Sequence, residues 1–563
     1  MQAVLLTVSM TAAAGNEAKA YKIQGLGNPI SSCVFCADPT ALVYKGRLYV
    51  YGSNDHQQYI KNNKTGNNGY GDIKSLVVFS TDDMTNWTFH GTIDVGTVCK
   101  WAGNSWAPSA TWRTNADGVD EFFIYFANGA SNVGVMKSNS PVGEFTSPRN
   151  SAMIAHGMPG VDPCSWLFDP GVVVDKDGTG WIAFGGGDPQ SSGSDLMPGN
   201  SRIAKLMPSM TELDGSAVNL PAPYMFEASE LNIINNKFVY TFNTSWSERN
   251  DWGKYAKRGD YEKPSTCSMC YMVTDTPLNP DSWEYRGEYF PNPGNFGWDW
   301  GNNHTHLQEF EGKYYLIYHA FMLEKSMKEQ GGYSASGFRS IAVNEATVDE
   351  STLTISSVKA TSKGVDHIRN LNPFELQQAE TMSTCGGVNY EDFTNIVRKP
   401  TLNSLGNDAS RPIQVKMRAG SWTMVRKADF SKQVASSFMV RAKGTGAIEV
   451  RLSVTGVPVA RVEFSSESFE DHVVDIDPKA LTDITSLYFV CTEAQSVQFD
   501  AWQFFSKTPD GIKETVNVND GKPANRFDLS GRQLPSAGQQ HGVVIEQFVN
   551  DKGVKASRKR LGR

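Results

Sequence analysis

Three carboxylic acids and a histidine, Asp38, Asp169, Glu227 and His304, each stand at the head of a similar segment, although the segments are far apart in the chain. Two aspartates and a glutamate gathered in one place cannot all ionise easily. One keeps its proton to higher pH while another stays anionic, which puts an acid and a base in one cleft. Such a pair suits glycosidic cleavage, in which one carboxyl protonates the leaving oxygen and the other activates water or attacks the sugar. The parts of other chemistries are missing: there is no Gly-x-Ser-x-Gly elbow, P-loop, His-Glu-x-x-His helix or dinucleotide-binding glycine fingerprint. Trp101, Trp106, Trp166, Trp246, Trp298 and Trp300 lie near the same segment heads and offer flat faces for stacking on sugars, or for packing a core.

The elements that position these residues follow from an internal repeat. Asp38-PTALVYKGRLYVYGS, Ala107-PSATWRTNADGVDEFFIYFA, Asp169-PGVVVDKDGTGWIAFGG, Glu227-ASELNIINNKFVYTFN and His304-THLQEFEGKYYLIYH share one order: a head residue, an alternating apolar strand, a turn, then an aromatic strand. Each repeat has room for about four strands, one blade of a propeller. The expected fold is all-β, a five-bladed β-propeller over residues 21–360. Radial packing then brings the heads of the innermost strands to one end of a central channel. Asp-Pro dipeptides also shape turns for purely structural reasons. Several titratable groups at one repeat phase still favour a site, because buried charge is costly unless it is paired or used.

Composition narrows the class. The 563 residues are 40% apolar and 11% aromatic, enough for packed interiors in more than one domain. A formal charge of -8 has the wrong sign for a phosphate-binding surface, which argues against nucleic acid as a partner. No run approaches the ~18 apolar residues of a membrane span. Residues 1–20, with the apolar run Ala3 to Ala14, resemble a secretory signal without its usual basic start, so the expected location is secreted or periplasmic. Eight cysteines include the pairs Cys33/Cys36 and Cys267/Cys270. They lack nearby histidine ligands, which favours disulfides or buried thiols over zinc.

Ala37-Asp38-Pro39 with its KGRLYVYGS strand, Trp106-Ala-Pro, Phe168-Asp169-Pro, Phe226-Glu227-Ala-Ser and Asn303-His304 with FEGKYYLIYH together resemble glycoside hydrolase family 43, over about residues 25 to 360. The resemblance implies a five-bladed propeller that inverts the anomeric centre, with Asp38 as general base, Glu227 as general acid and Asp169 as the residue that raises the acid's pKa and orients it. It also implies a substrate contact at Arg339 and a histidine, His304, bordering a central calcium or water site. Trp106, Phe168 and Trp298 are the candidate sugar contacts. Decoys compete for these roles. Asp162-Pro163 does not precede the GVVVDKDGTGWIAF hairpin; Glu230 sits at an odd offset from Glu227, on the opposite face of a regular strand; His306 competes evenly with His304. Asp175-Lys-Asp177-Gly is read as a hairpin turn and not a calcium loop.

Residues 361–372 read as a polar linker and 373–506 as an antiparallel sandwich. Asn372-PFELQQAET, Gly420-SWTMVRKADF and Phe499-Asp500-AWQFF resemble a carbohydrate-binding module of family 6, which implies a structural calcium at Glu380 and Asp500. Gln378 replaces a usual acid there, and Phe469 stands near the place of a cleft tryptophan. The tail, 507–563, offers Arg526-FDLSGRQL and HGVVIEQFV as a small hairpin before a basic end. The expected activity is an exo-acting arabinofuranosidase on plant cell-wall arabinoxylan, with β-xylosidase, or a bifunctional xylosidase/arabinofuranosidase, as runner-up; no cofactor is required for the chemistry, and calcium is expected only in a structural role. The rivals from other classes are a non-catalytic sugar-binding propeller and a structural one.

Overall fold

The computed structural model describes residues 17–187, 195–247, 249–395 and 413–506, and three strands of the tail. Five sheets stand around one axis. Their innermost strands are Ala37–Tyr44, Trp106–Thr114, Gly171–Val174, Met225–Ile234 and Thr305–Phe310, and each packs beside the next until the fifth meets the first. Three inner hairpins close through two-residue turns with both residues at positive φ: Lys45-Gly46, Asn235-Asn236 and Glu311-Gly312. This mirror-image turn matches the right-handed twist of the flanking strands. Asp175 shapes another turn, accepting from the amides of Asp177 and Thr179 at 2.9 Å each.

Both faces of every blade are buried. On Gly180–Gly185, Ile182 and Phe184 face a core shared with the second blade, while Ala183 faces one shared with the fourth. Runs such as Phe122-Phe-Ile-Tyr-Phe126 are therefore apolar throughout and do not alternate. Successive blades are joined near the axis by side chains, with no backbone ladder between their inner strands. Ala110 donates its amide to Thr40 Oγ1 (3.2 Å), Val172 to Ser109 Oγ (2.9 Å), Ala228 to Asp169 Oδ2 (2.8 Å) and Asp38 to Nδ1 of His319, on the second strand of the fifth blade (3.0 Å). Polar residues near the axis are thus used first to hold the blades together.

The C-terminal domain is a curled antiparallel sheet whose long strands Ser437–Arg451, Pro458–Asp475 and Ile484–Phe505 bend across both layers of a sandwich. The segment read as a linker is a packed seam. Val365 and Leu371 are buried, Gly27 donates to Lys363 O (2.8 Å), and the strand Thr381–Met382 pairs with the outer strand of the first blade. One core runs through blades one and five and into the sandwich. Polar composition misleads here because the segment buries only a few apolar side chains and is otherwise held by its backbone.

Of the signal-like stretch 1–20, residues 1–16 lie outside the described residues. Ala18 accepts from Trp422 Nε1 (2.8 Å) and so belongs with the packed domain. In the tail, Asn525–Phe527, Gly542–Val549 and Lys555–Gly562 form a three-stranded sheet, so the basic end pairs as a strand beyond the expected hairpin. All eight cysteines are buried free thiols. Among the described residues no helix is long and apolar enough to cross a membrane.

Candidate active site

The acid-bearing strands share one irregularity. From Ala37 to Thr40 the first blade advances three residues while its partner strand advances two, from Ser53 to Tyr51. The same slip occurs between Trp106 and Ser109 and between Glu227 and Glu230. In the third blade, Gly185 donates to Phe168 O before Gly171 pairs with Ala183. These are β-bulges whose extra residue is left-handed: Asp38 (φ 50°), Ala107 (32°), Asp169 (44°) and Ala228 (61°). Pro39, Pro108 and Pro170 follow three of them, where no ladder donor is needed.

The bulges correct two expectations. Asp38 and Asp169 are bulge residues, but Glu227 precedes its bulge and is equivalent to Ala37, Trp106 and Phe168, so the three acids do not share one repeat phase. The extra residue also cancels the odd offset, placing Glu230 on the same face as Glu227 and deeper in the channel. There Thr40, Ser109, Gly171, Glu230 and His306 form a ring, one residue from each blade. Glu230 Oε1 lies 3.2 Å from His306 Nδ1, and Ser109 Oγ lies 3.5 Å from Glu230 Oε2. Gly171 is required in this ring because a Cβ would stand 2.4 Å from Glu230 Cα.

Above the ring, Asp38, Asp169, Glu227, Trp106, Phe168, His304 and Arg339 line one cavity of about 480 Å³. Trp298 does not: it packs against the core between blades four and five, with Lys325 over its ring. Trp166, Trp246 and Trp300 line the cavity and remain partly exposed. Asp162 lies elsewhere, paired with His156 at the surface.

Asp38 accepts from Arg339 Nη1 at Oδ1 (2.6 Å) and from Ser53 Oγ at Oδ2 (2.7 Å). Burial opposes its charge, but the Arg339 guanidinium, helped by His319 and His304, outweighs burial and holds Asp38 far below the usual carboxylate range. Asp169 receives only the Ala228 amide; burial and then repulsion from Asp38 push it up to about 7. Glu227, held by Asn243 Nδ2 at 3.2 Å, is raised well above its ordinary value by burial and then by Asp169 and Asp38. One anion, one proton-holding acid and one acid that titrates near neutral pH thus share a cavity. Sequence reasoning missed Ser53, Asp55, Tyr70, Asn243 and His319. Ser53, Asn243 and His319 each end one of the repeated segments, on its aromatic strand, a shared position that could have found them, whereas Asp55 and Tyr70 lie outside the repeated segments.

His304 has Nδ1 4.0 Å from Asp38 Oδ1, and burial lowers it to about 3. In the sandwich, Glu380 and Asp500 are both buried, with the Ala379 amide donating to Asp500 O (2.9 Å). Among the described residues no cluster of three His, Cys, Asp or Glu side chains has metal-holding geometry, at His304 or at Glu380 and Asp500. Phe469 is half-buried, with Lys443 Nζ over one face of its ring at 4.9 Å.

The raised Asp169 makes a stability prediction. Its folded pKa exceeds its unfolded value, so the native state binds the extra proton and loses stability as pH rises from about 4 to about 7. Asp169→Asn keeps an acceptor for the Ala228 amide and removes the penalty. The variant should match the wild type near pH 3.5 and exceed it at pH 8 by on the order of 3 to 4 kcal/mol, read by denaturant unfolding at both values.

Residues 26–337 match the family model "Glycosyl hydrolases family 43". The chain belongs to glycoside hydrolase family 43. It is a glycoside hydrolase of an inverting family. The family 43 chain is 34% identical over 506 residues to an arabinoxylan arabinofuranohydrolase of Paenibacillus polymyxa, covering 86% of this chain and 75% of that one. It is 33% identical to the arabinoxylan arabinofuranohydrolase of Bacillus subtilis, covering 85% and 92%. The crystal structure of a family 43 arabinoxylan arabinofuranohydrolase from Bacillus subtilis in complex with cellotetraose superposes with a TM-score of 0.77 at 32% identity, covering 87% of this chain and 99% of that one. These likenesses extend past the family 43 propeller into the sandwich.

Proposed function

We propose that this protein removes arabinofuranose side chains from arabinoxylan by single displacement, with Asp38 as general base, Glu227 as general acid and Asp169 as the modulator of Glu227. The observation that carries the reading is the division of protonation within one cavity. Asp38, anchored by Arg339, is the anion that accepts a proton from water as the water oxygen attacks the anomeric carbon. Glu227 keeps its proton beside anionic Asp38 and delivers it to the departing oxygen. Asp169 adds repulsion that holds that proton on Glu227 until the leaving group takes it. Proton delivery and removal both lie with side chains, so the reading calls for no cofactor.

Arabinoxylan is favoured by likeness to the two arabinofuranohydrolases over more than four-fifths of this chain, sandwich included. A polymeric substrate also favours action outside the cytoplasm. The test is parallel incubation with nitrophenyl arabinofuranoside and nitrophenyl xyloside, then with arabinoxylan, following the released sugar by NMR. Free arabinose of inverted configuration is expected. Faster xyloside hydrolysis with xylose release would establish β-xylosidase action instead.

The tryptophans at the mouth carry a separate prediction. Trp300, 49% exposed, presents a face on which a xylan backbone can stack. Trp300→Ala should raise KM for arabinoxylan about 3- to 10-fold while leaving KM for nitrophenyl arabinofuranoside nearly unchanged.

A further inference from the structure

Arg339 lines the cavity with its guanidinium already engaged by two carboxylates. Its Nε donates to Asp55 Oδ2 (2.9 Å) and its Nη2 to Asp55 Oδ1 (2.8 Å), a two-pronged pairing that leaves Nη1 directed at Asp38 Oδ1 (2.6 Å). Asp55 is fully buried at the start of the helix Asp55–Lys61, and it also accepts from the Arg339 amide (3.0 Å) and from Asn68 Nδ2 (3.0 Å). The Tyr70 ring covers the guanidinium, with Cζ 5.1 Å from its centroid. The preceding loop is pinned from the other side, since Glu324 accepts from the Phe338 amide (2.8 Å) and Tyr333 Oη (3.1 Å). The guanidinium is therefore held along one edge by Asp55 and over one face by Tyr70, with Nη1 meeting Asp38.

We infer that Asp55 is a positioning residue for the general base, fixing Arg339 so that a single guanidinium nitrogen meets Asp38 and the carboxylate stays turned toward the attacking water. Arg339 carries five donors in a rigid fork. Released from Asp55, the fork is free to turn its double-donor edge onto Asp38, competing with Ser53 for Oδ2 and rotating the carboxylate away from water. A displacement of about 1 Å at a reacting group is enough to cost roughly 100-fold in rate. The inference rests on the assignment of Asp38 as base.

The test compares wild type, Asp55→Asn, Arg339→Met and the double variant, with folding checked by circular dichroism. The substrates are nitrophenyl arabinofuranoside, whose leaving group is good, and an arabinoxylan oligosaccharide, whose leaving group is poor. Asp55→Asn should lower kcat about 100-fold on both alike with KM within about 3-fold, because water activation is needed whatever the leaving group. The double variant should be no worse than Arg339→Met, since Asp55 acts through Arg339. A kcat within 3-fold of wild type, a loss confined to KM, a loss confined to the poor leaving group or additive losses would each overturn the inference. Should Asp55→Asn fail to fold, Asn68→Ala decides, with a smaller kcat loss of about 3- to 10-fold at constant KM expected and an unchanged kcat overturning it. A wild type inactive on every glycoside would instead defeat the proposed function, and this inference with it.

Discussion

Glu227→Gln is expected to lower kcat on arabinoxylan roughly 1,000-fold while leaving the affinity for arabinoxylan oligosaccharides within a few-fold of wild type. Glutamine keeps the shape and the contact with Asn243 but has no proton to give, and proton transfer by a placed general acid contributes about 10²- to 10⁴-fold. The loss should shrink with leaving-group quality. On a dinitrophenyl arabinofuranoside, which departs without protonation, kcat should fall less than about 10-fold. The same substitution should remove the alkaline limb of the pH profile, because that limb reports the group raised by burial and by its two carboxylate neighbours. Equal losses on both substrates would take the acid role away from Glu227.

Asp38→Asn should be as severe but with the opposite dependence, losing about 10³-fold on good and poor leaving groups alike. Water must be deprotonated in either case, and no other anion in the cavity is held charged as Asp38 is by Arg339. Azide needs no base, so it should restore turnover in this variant and give a glycosyl azide of inverted configuration. A product of retained configuration would sink single displacement. Asparagine cannot neutralise Arg339, although Asp55 still can, so the folded protein should survive the change better than loss of both partners would allow.

The third acid has the subtler part. Asp169 receives one backbone donor, the Ala228 amide of the next blade, and that contact does two jobs. It ties blade three to blade four and fixes the carboxyl beside Glu227. Because Asp169 titrates near neutral pH while Asp38 stays anionic, the charge felt by Glu227 varies over the working range. The stability gain expected for Asp169→Asn and the activity it forfeits have one origin: like charges are pressed together where the reaction needs them.

Much of this was legible in the chain itself. Five segments with one apolar order can bury both faces only by packing against copies of themselves, so the propeller and the meeting of Asp38, Asp169, Glu227 and His304 follow from a repeat that sequence displays directly. The sandwich followed in the same way from short alternating strands. What misled was anything that depended on counting along a strand. Glu230 faces the channel, and Glu227 sits one place ahead of its supposed equivalents, because a bulge changes parity while leaving only Pro39, Pro108 and Pro170 as its trace. Trp298 and Trp300 differ by an even offset with no strand to define their faces; packing alone puts one against the core and the other at the mouth. Sequence determined which residue types recur and how far apart, because hydrophobic periodicity is a local property of the chain. Only the folded structure decided which acid keeps its proton, because that depends on burial and on charges such as Arg339, Asp55 and His319, brought within a few ångströms from positions far apart in the chain.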